Sequence, residues 1–114
     1  MTWIAVLYGG GLYNLAAEKQ LTEVVMQQMQ EIRKIFRENP EYLRLFSEPS
    51  IPFAKKNSMI ENAFGIHVER YLLNFLKLLC EQGMLDEYAG CCEEFVRRYH
   101  LEHSIADAAT LLVC

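Results

Sequence analysis

Apolar residues return every three or four positions from Ile4 to Tyr99, and the strict alternation that builds a strand is nearly absent. That period confines the chain to helices, and proline and glycine say where they stop. A first segment runs from about Ile4 to Glu18, with Ile4, Tyr8, Leu12 and Leu15 on one face. A second carries Leu21, Val24, Val25, Met29, Ile32, Ile35 and Phe36 inward, with Thr22 expected to cap it. Asn39-Pro40 closes that helix and opens a short third one bearing Leu43 and Phe46. Two prolines in the stretch Ser47 to Pro52 make a break. A fourth helix then runs from about Pro52 to Phe64, a fifth from about Val68 to Gln82, and a sixth from near Leu85. The expected fold class is all-α, a compact six-helix bundle in a single domain.

Size and charge agree with that expectation. A chain of 114 residues buries roughly two-thirds of its unfolded surface, enough for a core without metal or disulfide staples. Cys80, Cys91, Cys92 and Cys114 are therefore expected as free thiols, with Cys80 and Cys92 acting as small core residues. A net charge of −4 gives phosphate backbones nothing to hold, so no nucleic-acid partner is expected. No run reaches the ~20 apolar residues needed to span a bilayer. Any membrane association is expected to come through a complex.

Two segments resist a simple reading. Gly9-Gly10-Gly11 interrupts the first helix pattern, and each glycine costs a helix about 1 kcal/mol relative to alanine. It reads either as a loop or as a helix whose neighbour comes too close for side chains. A phosphate loop is not expected, because no strand precedes the run and neither glycine-rich phosphate motif is complete. The fifth helix is apolar around most of its girth, with rows 72-76-79 and 71-75-78 plus Leu73. Such a helix is either surrounded by its own bundle or leaves one row for a partner.

Catalytic and metal chemistry find little support. His100 and His103 are spaced to share a helix face, but neither HExxH nor CxxC accompanies them, so no metal site is expected. Ser47, Ser50, Ser58 and Ser104 fall in turn or helix-edge contexts, and Glu81 and the pair Glu93-Glu94 read as solvated helix faces. We expect no enzyme and no cofactor. An apolar pocket between helices one and five would also suit a helical-bundle small-molecule sensor or carrier, and that alternative stays open.

The order of motifs points further. Ser50-Ile51-Pro52, Lys55-Lys56, and Tyr71-Leu72-Leu73-Asn74-Phe75-Leu76-Lys77-Leu78-Leu79-Cys80-Glu81-Gln82-Gly83 together resemble the ATP synthase delta subunit and oligomycin sensitivity conferral protein family. Tyr8-Gly9-Gly10-Gly11-Leu12 is similar to that family's opening helix, which usually reads tyrosine, alanine, any residue, alanine, leucine. Asn39-Pro40 and Phe95 fall in step, so the likeness covers about residues 4–105. Departures occur where Gly83-Met84 stands for a common glycine-arginine, and where Gly9 and Gly11 replace alanines.

The resemblance implies a division and a role. Residues 1–105 would be the family's six-helix N-terminal domain, and residues 106–114 a tail where the family continues into a C-terminal domain. The role would be a non-catalytic stator component of a rotary proton-translocating ATP synthase, peripheral at the cytoplasmic face of the membrane. Its partner would be the N-terminal helix of an alpha subunit, held in a groove between helices one and five. A peripheral stalk b subunit would be a partner only where the C-terminal domain exists. Tyr8, Gly11, Leu12 and Leu15 from helix one, and Asn74 and Leu78 from helix five, are the residues this implies for partner binding. Small residues from Gly9 to Gly11 would let the foreign helix approach.

Overall fold

Thr2 starts the first helix by accepting the Ala5 N–H on its hydroxyl at 3.1 Å, a side-chain cap on an otherwise orphaned donor. The computed structural model describes residues 2–113, with side chains to residue 103; Cys114 lies outside the described residues. Helix α1 spans Trp3–Glu18 and runs unbroken through the three glycines. Its end is closed by Gln20, at a left-handed φ of 58°, and by a Leu21 N–H that reaches back to Ala16 at 2.8 Å. Helix α2, Thr22–Glu38, then begins with Leu21 at its cap and no side-chain capping bond, so Thr22 does not cap it as expected.

The short α3, Pro40–Phe46, starts at once because Pro40 suits a first turn that needs no donor. Asn39 stands at its cap position, yet its amide donates backwards to the Ile35 carbonyl at 3.0 Å, sealing α2 instead. After the proline-rich break come α4, Phe53–Phe64, and α5, Arg70–Glu81. Glu69 caps α5 by accepting the Tyr71 N–H at 2.6 Å, while its own N–H donates to Gln28 of α2 at 2.7 Å. Gly83, at a φ of +68°, turns the chain out of α5, and the Met84 N–H donates to Leu79 at 2.8 Å. A 3₁₀ turn, Leu85–Glu87, leads into α6, Tyr88–Val113. The expected boundary after residue 105 falls inside this helix, beyond its described side chains.

Six α-helices and no strand among the described residues make the expected all-α bundle. Helix α6 is its strut: it packs on α1 and α2, while α5 packs on α4. Aromatic edges knit the middle, with Tyr13 against Phe95 at 5.2 Å and Phe36 against Tyr88 at 5.5 Å. The Tyr88 hydroxyl, fully enclosed, donates to the Met29 carbonyl at 2.8 Å. Cys80 and Cys92 are buried free thiols as expected, and so is Cys91. Burial pushes the Cys91 thiol up to about 11 and the Cys92 thiol up to about 12, so neither offers a thiolate at neutral pH. Val24, expected inside, stands exposed, because Val25 takes the inner position of its turn.

Candidate functional site

Helix α1 is apolar nearly all round, and its two sides meet different fates. Inward, Ala5, Gly9, Tyr13 and Ala16 face the bundle. A β-carbon on Gly9 would lie 2.6 Å from the Cys91 carbonyl oxygen, so α1 and α6 touch backbone to backbone there. One on Gly10 would lie 2.5 Å from the Arg98 guanidinium carbon. Arg98 is pinned in that place by Glu94, whose carboxylate accepts its Nε at 2.6 Å and both Nε and Nη2 of Arg97 at 2.9 and 2.8 Å. Glu94 is 1% exposed, which corrects the expectation of a solvated face. Bonds from Arg97 and then Arg98 hold its carboxyl down to about 2, against the cost of burial. This carboxylate is a structural tether, committed to two arginines.

Gly9 and Gly10 are thus consumed by the chain's own α6, which corrects the reading that the whole glycine run serves a visitor. Gly11 differs. A β-carbon there would meet nothing within 4 Å. Successive residues turn by about 100° on a helix, so Gly11 lies about 200° round from Gly9, on the opposite side. That side is one wall of a trough of about 350 Å³, open to solvent, between α1 and α5.

All six residues singled out from the sequence line that trough: Tyr8, Gly11, Leu12 and Leu15 on α1, Asn74 and Leu78 on α5. Leu12 forms its buried floor and belongs equally to the core. Leu78 stands at the rim, 42% exposed, where a leucine loses contact with its own fold and gains none. Leu7, Tyr71 and Phe75 complete the lining. Tyr71 and Phe75 sit in the surplus row of the fifth helix, and Leu7 lies one turn before Gly11, a spacing that could have identified it. None of the nine lining residues carries a charge.

The charged side of α5 is turned away and occupied. Glu61 of α4 accepts from Lys77 at 2.5 Å and from Arg70 at 2.9 Å, and these bonds hold its carboxyl below the usual range. With that face tied to α4, Asn74 and Leu78 are left facing the trough. Elsewhere, His67, His100 and His103 are all exposed. No helix of the described residues is long and apolar enough to cross a membrane.

Comparison with known proteins fits this architecture to one family. The family model described as ATP synthase delta (OSCP) subunit matches residues 4–111. Among individual relatives, the ATP synthase subunit delta of Geobacillus sp. (strain WCH70) is 30% identical over 105 residues, covering 92% of this chain and 58% of its own length. The subunit of the same name from Shouchella clausii is 26% identical over 110 residues, with 96% and 61% covered. That of Lachnoclostridium phytofermentans is 26% identical over 105 residues, with 92% and 58% covered. The chain therefore spans about three-fifths of the length of these relatives.

Proposed function

Because the chain belongs to the ATP synthase delta (OSCP) subunit family, we propose that it serves as a non-catalytic stator component of a rotary, proton-translocating ATP synthase. On this reading residues 1–105 cap the catalytic head by receiving the N-terminal helix of an alpha subunit in the α1–α5 trough. Residues 106–114 are the tail that follows it in sequence, and a peripheral stalk b subunit is engaged only where a C-terminal domain follows. The protein then sits at the cytoplasmic face of the membrane through the complex.

The observation that carries the reading is the uncharged, open trough with Leu78 exposed on its rim. An amphipathic helix laid in a groove offers apolar anchors at i, i+3, i+4 and i+7, and an all-helical receptor with an apolar seam is its natural complement. Tyr8 and Tyr71 add large apolar rings with polar tips, and Asn74 adds a donor and acceptor to set register. A small-molecule carrier calls instead for an enclosed cavity that covers most of its ligand. The trough is open to solvent, which favours a helix over a small ligand.

Leu78→Asp tests this directly. Placing a carboxylate at an apolar interface is expected to weaken binding of a peptide from the alpha subunit's N-terminus by at least about 100-fold in calorimetry. Far-UV circular dichroism should stay helical, since the position is solvent-facing. Unchanged affinity in the folded variant would remove the trough from the binding site.

A further inference from the structure

A second cavity, sharing no residue with the trough, lies where α2, α3 and the start of α6 meet. At about 250 Å³ it is smaller than the trough and more enclosed. An apolar hole of about 150 Å³ admits a benzene ring, so this one has room for a ring and a short extension. Its floor is carbon. Phe36, Leu85 and Tyr88 are buried beneath it, and Leu43 of α3 adds a wall. The Tyr88 hydroxyl is already spent on the Met29 carbonyl, so Tyr88 offers the cavity its ring alone.

The rim is charged, and only part of that charge is matched. Arg33 of α2 is paired with Glu93 of α6 at 3.0 Å. Arg37, one turn further along α2, and Asp86, in the 3₁₀ turn, also line the cavity. Neither takes part in an ion pair among the described residues, and although opposite in sign they do not close on each other. A ligand with one charge would satisfy one of them and be repelled by the other. A ligand with none would use neither.

We propose that this cavity binds a small zwitterion with an apolar body, of the aromatic amino-acid class. Its carboxylate meets Arg37, whose fork of N–H groups can hold both oxygens, and its ammonium meets Asp86. Its ring lies on the floor of Phe36, Leu85 and Tyr88. A mostly apolar lining with a few polar groups that fix orientation is the usual make-up of a small-ligand site. Because no residue is shared with the trough, this site stands or falls apart from the stator reading.

The full chain is titrated in calorimetry with L-phenylalanine. Three analogues are compared with it: hydrocinnamate lacks the ammonium, phenethylamine lacks the carboxylate, and glycine lacks the ring. Phenylalanine is expected to bind in the millimolar range, as suits about a dozen non-hydrogen atoms. Each analogue is expected to bind at least about 10-fold more weakly. Arg37→Ala and Asp86→Asn change exposed side chains, and each should weaken phenylalanine by about 10-fold with far-UV circular dichroism unchanged. No phenylalanine binding at about 10 mM overturns the proposal. Equal binding by either singly charged analogue does so on the wild-type chain, whatever the variants do. A phenylalanine affinity that neither folded rim variant moves also overturns it.

Discussion

The two sides of α1 are built from the same kind of sequence and end in opposite states. On the α6 side, Gly9 and Gly10 remove every atom that would hold two backbones apart, and Glu94 closes the seam with two arginines. On the α5 side, Leu7, Tyr8 and Leu15 face a row of comparable residues across a gap that nothing in the described chain fills. Apolar character alone therefore does not tell a closed core from an open trough. What separates them is whether a second helix can come close enough to complete the packing, and a missing side chain at one position settles that.

The contrast can be broken at its centre. Phe95→Ala empties the α1–α6 seam beneath Tyr13 and is expected to cost about 3–5 kcal/mol in urea unfolding. Leu78→Ala on the trough rim should cost less than about 1 kcal/mol by the same measure. Equal costs would mean that the trough is part of the core after all.

Acid probes the tether. Glu94 titrates near 2 when folded and in the ordinary carboxylate range when unfolded, so its folded value is depressed. Its contribution is therefore complete above the ordinary range and lost as pH falls towards 2. Its size is roughly 1–3 kcal/mol on the scale of such buried, arginine-paired carboxylates. Glu94→Gln should be less stable than wild type at neutral pH, with the gap narrowing as the solution is acidified from about 4.5 to about 2. A gap that stays constant over that range would assign Glu94 no ionic part in the seam.

The smallest effects give the cleanest comparison, because they differ in sign within one tripeptide. Gly9→Ala gains helix propensity but drives a methyl into the Cys91 carbonyl, and it should destabilise by about 1–2 kcal/mol. Gly11→Ala meets open space and should stabilise by about 0.5–1 kcal/mol. Thermal unfolding of the two variants side by side measures both. Matching signs would show that α1 does not lean on α6 through Gly9.

Much of this was legible beforehand where the reason is local. The breaks at Asn39-Pro40 and Gly83 and the inward rows of α2 and α5 follow from backbone chemistry and period, whereas the caps did not: Thr22 makes no capping bond, and the side chains that cap are Thr2 and Glu69. On helix one the period shows Tyr8, Leu12 and Leu15 on a common face, but it was the family resemblance that implied a groove there and added Gly11, and Leu7 was missed. Glu94 was not, because a carboxylate beside Glu93 has no sequence mark to tell it from a solvated neighbour. It is buried only because α1, thinned by glycine, comes down upon it.

By itself, then, the chain's period and punctuation determined six helices, their order and the apolar faces they carry, because those depend on neighbours within a turn or two. Tertiary structure alone decided which of the apolar faces closed and which stayed open, and which glycines serve the fold and which the trough. Those outcomes depend on how near residues some 80 positions apart are brought, as with Gly9 and Cys91, and that distance is set by the whole bundle at once.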